Sequence, residues 1–313
     1  MDAAQKAYAN FIQGLPDAPI FVKPWYLQAV CGDRWNAVRV EKGGQVAAAL
    51  PYHWKKVGPW TYLATPPLCK FLGPWFAPSF RSVSQQYKLT TQLIEQLPPH
   101  ACFKQNTHYS YQNWLPFYWQ GFQQSTRYSY RLDPIEDLQE VFSNFSTDYR
   151  NNKIPRAESM VQLTHEPSCS AFFKLLHATY QRQGLSLPVN LPFLENLTQT
   201  LQQKKSGRLF FAQDKEGRLH SGLLLIWDHH SAYLLAAADD PALRKSGAGV
   251  WLIWQAIQFT RNELGLQRFD FLGSMKKSIE RTRRQFGARP EPYFALTKYN
   301  SRLYQALDYL RRG

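Results

Sequence analysis

The run 239–249, DDPALRKSGAG, sets a cation and two glycines at the spacing Arg244-x-x-Gly247-x-Gly249, between a strand-like and an apolar helix-like stretch. Glycines let successive backbone N–H groups converge, and a helix starting there adds positive potential, so the pattern suits an anion such as a pyrophosphate. Ala237 and Ala238, at the end of the preceding strand, and Arg244, Lys245, Ser246, Gly247, Ala248 and Gly249 are the candidate cofactor-binding residues. A plain glycine-rich turn before a helix satisfies the same residues.

The second chemical stretch is 269–287, FDFLGSMKKSIERTRRQFG. Phe269 and Phe271 share one face of a strand and Asp270 takes the other. A carboxylate is costly to bury unless it is paired or hydrogen-bonded, so Asp270 is either a structural partner for a cation or part of a substrate site. In the helical run that follows, Lys277, Arg281 and Arg284 make a solvated face, while Ile279, Arg283 and Phe286 lie on another side. Arg283 is therefore the cation expected to point inward. His177 and Tyr180, in LLHATYQRQG, stand one helical turn apart and face either a cleft or the helix surroundings. His229 and His230 belong to a solvated turn. The chain shows no Ser-His-Asp or Cys-His order and no metal-ligand spacing.

These residues need a frame to hold them. WNAVRVEKGGQVAAALPYHWKK alternates about Gly43-Gly44 and predicts a β-hairpin; RLFFAQDKEGRLHSGLLLIW predicts another. Helical spacing marks 82–97, the runs DLQEVFSNFSTDYRNNKIPRAE and SAFFKLLHATYQRQG, LPFLENLTQTLQQKK, and a helix from about Val250 to Leu264. Pro24 fits the first turn of a short helix. The hairpins match in outline: GQVAAALPYHW leads to a strand around Tyr62, and GRLHSGLLLIW to one around Tyr233. A duplicated α/β unit is the economical reading, with one domain over 1–135 and a second over 136–313 that carries the anion loop.

The chain has 313 residues, enough for two domains, and its 44% hydrophobic and 15% aromatic content excludes a disordered protein. The net charge of +14 favours an anionic partner: a CoA-type cofactor, tRNA or an anionic membrane surface. Cys31, Cys69, Cys102 and Cys169 are too scattered for a structural zinc site or a disulfide framework, and suit a reducing cytoplasm. No apolar run is long enough for a signal peptide or a membrane span, so the expectation is a soluble cytoplasmic protein.

The Arg244–Gly249 spacing is similar to the pyrophosphate loop of GNAT acyltransferases. FDFLGSMKKSIERTRRQFGARPEPYFALTKY in turn resembles the C-terminal signature of Fem-like GNAT proteins, a group of aminoacyltransferases and N-acetyltransferases. PIFVKPWYLQAV, ALPYHWKK, TPPLCKFLGPWF and STDYRNNKIPRAES agree with it, so the resemblance covers about residues 18–300. It implies an α/β (α+β) fold of two tandem GNAT-like domains, each a mixed, mostly antiparallel sheet flanked by helices. It also implies an acyl donor in the second domain, and substrate contacts from Tyr149, Arg150 and Ser274. Trp75, in the rigid TPPLCKFLGPWF loop, either lines the substrate or belongs to an inter-domain plug. Two departures bear on the chemistry. Leu272 stands where relatives commonly carry an acid, and Thr282 stands where an aromatic residue often precedes the inward cation. In the tRNA-using branch that cation is a lysine, and Arg283 would bring charge there without serving as a proton donor.

The leading expectation is an acyltransferase that moves an acyl group, acetyl first, from acyl-CoA to an amine within a ternary complex, with no metal. Backbone N–H groups of the strand around Tyr233–Ala238 would polarise the carbonyl. Asp239, Asp270, His177 and Tyr180 are the candidate bases, and Arg283 the candidate cation. Aminoacyl-tRNA is the alternative donor, supported by the charge and by basic clusters at 149–156 and 276–284, with a cell-envelope precursor or another amine as acceptor. A binding protein on a non-catalytic GNAT scaffold is the third reading, suggested by Leu272.

Overall fold

The computed structural model describes residues 1–273 and 275–310. Ser274 lies outside the described residues. The chain forms two compact units: Met1–Arg127 with the chain from Pro292 onward, and Tyr128–Glu291. Residues 292–310, expected in the second unit, belong to the first. The strand Arg289–Tyr299 carries the chain there by pairing its residues 295–299 antiparallel with residues 102–106.

In the first unit, β1 (Trp35–Lys42) and β2 (Gln45–Val57) form the expected hairpin. Gly43 and Gly44 make the turn with φ of +57° and +77°, the left-handed pair that a tight hairpin needs. β3 (Trp60–Ala64) runs antiparallel to β2, and the two-residue β4 (Trp75–Phe76) pairs with Ala48 and Ala49 of β2. The helix Val83–Glu95 then crosses over to β5 (Cys102–Asn106), which is parallel to β3. Residues 71–76 of TPPLCKFLGPWF are all buried inside this unit. The indole N–H of Trp75 is spent on the carbonyl of Leu72 at 3.1 Å, so this residue is core and lines no open surface.

The second unit starts on β6 (Gln123–Leu132) and continues through β7 (Gln162–Thr164), β8 (Gly207–Gln213), β9 (Leu219–Trp227), β10 (Ala232–Asp239) and β11 (Phe269–Asp270). The order across its sheet is β6-β11-β10-β9-β8-β7, and every pair is antiparallel except β10 with β11. Alternation along β9 sends neighbouring residues to opposite faces. Gly222 faces the helix Cys169–Arg182, where a Cβ would come within 3.1 Å of Phe172. Leu223 and Leu225 join Leu252, Ile253 and Ile257 of the helix Ala248–Asn262 in the core of the other face.

The strand expected over QRFDFLG is only two residues long, and local geometry explains why. Leu272 has φ +49°, a left-handed conformation that costs a branched side chain energy. Gly273 then presses on β6 so closely that a Cβ would sit 1.7 Å from the carbonyl oxygen of Tyr128. The segment STDYRNNKIPRAES, expected as plain α-helix, is a π-helical turn, Tyr149–Lys153, leading into the helix Ile154–Met160. Such turns recur at functional sites because they redirect side chains. Among the described residues, no helix is long and apolar enough to cross a membrane.

Phe286 is fully buried, with its ring 5.0 Å from Phe145, 4.9 Å from Tyr149 and 5.3 Å from Phe271. Phe286→Ala should cost about 3–5 kcal/mol, read from the urea midpoint. Gly273→Ala should cost at least as much, because the clash is with backbone that cannot rotate away; an unchanged midpoint would show that the crowding at Tyr128 is relieved cheaply.

Candidate active site

The candidate anion loop has the strand–turn–helix context its spacing predicts. β10 ends at Asp239, a short 3-10 turn covers Arg244–Ser246, and Gly247 caps the 15-residue helix Ala248–Asn262. Gly247 has φ +80°, and a Cβ on it would lie 2.7 Å from the carbonyl oxygen of Lys153, so glycine is required on two counts. Arg156 braces the loop from behind by donating to the carbonyl of Lys245 at 3.2 Å. Ser246 and Ala248 are buried and serve the loop's shape: the Ser246 hydroxyl accepts the Ala248 N–H at 3.2 Å. Arg244 and Lys245 are exposed and available to an anion. Ala238 is buried at the strand end, and Ala237 is exposed.

Asp239 also belongs to this loop. Its carboxylate accepts the Ser221 hydroxyl at 2.8 Å and lies against Gly249, where a Cβ would come within 2.3 Å of it. Burial pushes the Asp239 carboxyl above its ordinary range, against the pull of Ser221, Arg244 and Arg182.

Between the two flanking strands the sheet opens. β10 and β11 pair only at Ala232↔Phe269 and Tyr233↔Asp270. Past that point β10 is shifted in register against β9 between Leu234 and Ala236, and the chain after Asp270 follows β6, with the Phe271 N–H on the carbonyl of Tyr130 at 2.8 Å. This divergence leaves the stretch from Leu234 to Asp239 without a β11 partner among the described residues. It is the stretch expected to present N–H groups to an acyl carbonyl.

Asp270 is completely buried, and its Oδ1 accepts the Ser129 hydroxyl at 2.6 Å and the Leu272 N–H at 2.7 Å. Ser129 in turn accepts the Gly273 N–H at 3.2 Å. Arg283 points inward, as the helical spacing predicts. Its guanidinium carbon sits 5.2 Å from the centre of the Phe271 ring, and its Nε is buried with no hydrogen-bond partner among the described residues. Burial lowers its pKa to about 10, while Tyr149 and Asp270 act in the opposite direction. Tyr149 is buried against Phe286, and burial pushes its hydroxyl pKa up despite Thr282 and Arg283. Arg150 has a buried, unpartnered Nε like that of Arg283.

The π-helical turn links loop and cluster. The Lys153 carbonyl backs Gly247, and the Lys153 ammonium lies 4.9 Å over the Tyr149 ring. His177 and Tyr180 stay apart from both. His177 is exposed, with its ring stacked on Phe173 of its own helix, and neither side chain hydrogen-bonds to the loop or the Asp270 cluster among the described residues. Sequence reasoning missed Ser129, Ser221 and Lys153, whose roles come from tertiary contacts that no local pattern announces.

A family model described as an acetyltransferase (GNAT) domain matches residues 150–294. No curated protein matches the chain in sequence. Among solved structures, FemX superposes with a TM-score of 0.69 at 14% identity, over 94% of this chain and 96% of its own. A tandem GNAT protein from the clavulanic acid biosynthesis pathway gives 0.55 at 12% identity, over 95% and 94%. L-PGS from Bacillus licheniformis gives 0.53 at 11% identity, over 91% and 90%. Residues 150–294 thus match a GNAT acetyltransferase domain, and the chain has the fold seen in FemX and in a tandem GNAT protein.

Proposed function

We propose that this protein is an N-acyltransferase that moves an acyl group, acetyl in the simplest case, from acyl-CoA to an amine in the cytoplasm. The observation that carries this reading is the loop Arg244–Gly249: a compulsory glycine at φ +80°, two exposed cations and a long helix start, in the order that suits a pyrophosphate. Arg244, Lys245 and the backbone at Gly247 and Gly249 would hold the diphosphate, and the diverging part of β10 would take the acyl arm. The amine attacks the thioester carbonyl, its N–C bond forms, the thiolate leaves and the ammonium proton passes to solvent. Placement of the reactants and donors aimed at the developing oxyanion supply the acceleration. Arg283 is the cation for that charge, since its Nε is a buried donor with no hydrogen-bond partner among the described residues. Asp270, too deeply buried to reach a substrate, acts as the counter-charge that keeps Arg283 inward.

A second reading uses aminoacyl-tRNA as donor and a cell-envelope precursor as acceptor. The net charge of +14 and the FemX-like fold favour it. Salt distinguishes the two, because tRNA contacts release counterions and weaken steeply with ionic strength.

CoA should raise the melting temperature, tRNA should leave it unchanged, and Gly247→Val should abolish the CoA shift, read against that variant's own, lowered, ligand-free melting temperature. A shift that survives in Gly247→Val removes the loop from the donor site. A salt-sensitive tRNA shift moves the protein to the second reading, and a null result with both ligands defeats both. Arg283→Met tests the cation. Its surroundings oppose its charge on balance, so the variant should keep its melting temperature while turnover falls about a hundredfold. Unchanged turnover would leave Arg283 without a role in the reaction.

A further inference from the structure

Asp239 places a negative group where the loop is built to receive one. It is the last residue of β10, and its carboxylate fills the side-chain space of Gly249, within the first turn of the helix Ala248–Asn262. The placement is built in. Ser221 of β9 donates to Oδ1 at 2.8 Å, and Thr179 of the helix Cys169–Arg182 donates to the Asp239 carbonyl at 3.1 Å. The charged groups facing it are Arg244, whose Nε is 3.8 Å from Oδ2, and Arg182. Neither takes up its charge fully, since Arg244 is about half exposed and Arg182 is exposed as well. The positive end of the helix therefore already has an anion beside it before any ligand arrives.

We infer that Asp239 is a specificity-determining residue of the donor loop: its ionised carboxylate competes with the ligand's phosphates, so an anionic donor binds with net proton uptake at Asp239. The inference rests on the loop being the acyl-CoA site. Its direction follows from linkage. The carboxyl already holds its proton to higher pH than an ordinary aspartic acid, because of burial, and a diphosphate nearby strengthens that hold further. Donor affinity then rises as pH falls through the Asp239 titration and levels off once the group is neutral. Donors with less charge at this point lose less to the competitor, so Asp239 also ranks carriers by charge.

The test is calorimetric titration of CoA into the full chain and into Asp239→Asn, from pH 5 to pH 8. Asparagine keeps an acceptor for Ser221 and has no charge. The variant should bind CoA about tenfold more tightly at pH 8, and the difference between the two proteins should narrow as the pH falls. The phosphates of CoA titrate in the same range and cancel in the comparison. Equal affinities at pH 8, or the same difference between the proteins at every pH, would overturn the inference and leave the loop reading standing. Absence of CoA binding by both proteins at every pH would overturn the loop reading and this inference with it. If Asp239→Asn does not fold, titration of the unmutated protein with dephospho-CoA, whose diphosphate does not titrate between pH 5 and pH 8, in two buffers of different ionisation enthalpy decides: net proton uptake supports the inference, and none or net release overturns it.

Discussion

Two parallel strands part after two residue pairs, and the second unit is organised by that parting. β10 and β11 are joined at Ala232↔Phe269 and Tyr233↔Asp270. Gly273 cannot move away from Tyr128, and Leu272 must take a left-handed turn to bring it there, so the chain after Asp270 is committed to β6. β10 runs on toward the loop with β9 as its one strand partner among the described residues. A straight continuation of β11 would have consumed the backbone groups of β10 that the proposed chemistry needs. The strain at Leu272 is local and modest, and it is offset by the burial of Phe269 and Phe271 on either side of Asp270.

Charge is handled differently at the two ends of this opening. At Asp270 a fully buried carboxylate is held by a hydroxyl and a backbone N–H, and its field helps keep Arg283 charged in a place that disfavours charge. At Asp239 a carboxylate sits beside a helix start that would attract any anion, under partial burial that opposes its ionisation. The first arrangement keeps a cation fixed and ready. The second makes the loop's charge adjustable. Lys153 touches both neighbourhoods, through its carbonyl at Gly247 and its ammonium over Tyr149, which accounts for the irregular π-helical turn in an otherwise helical segment.

The parts of this architecture that depend on short-range rules were readable from residue types. Gly43-Gly44 between alternating strands makes the hairpin, Arg244-x-x-Gly247-x-Gly249 makes the loop, and the Ile279, Arg283 and Phe286 spacing turns one arginine inward. What was not readable depends on partners far along the chain. Residues 295–299 find their strand partner at 102–106, and nothing local in PYFALTKY distinguishes that choice from a strand of the second unit. Trp75 is a large aromatic in a loop, and the same residue type serves a pocket wall or a core plug. The Leu72 carbonyl that takes its N–H decides for the core. Ser129 and Ser221 matter through single hydroxyl contacts that have no sequence signature.

The first unit shows why topology alone does not make a donor site. It repeats the plan of hairpin, further strand, crossover helix and parallel strand, with β3 and β5 paired over Tyr62–Ala64 as β10 and β11 are over Ala232–Tyr233. Past this pairing, however, the chain uses its own backbone on β5. The Thr65 N–H takes the carbonyl of Lys104, and the Leu72 N–H takes that of Asn106. Phe71 and Trp75 pack beneath, and β4 closes on β2. Its crossover helix begins at Ser82, which makes no side-chain cap, and no glycine in a left-handed conformation stands there to let an anion approach. The space that an acyl arm would need is filled by the connection itself, so one copy of the plan became a packed core. The other kept its strands apart, at the cost of a strained leucine and an immovable glycine.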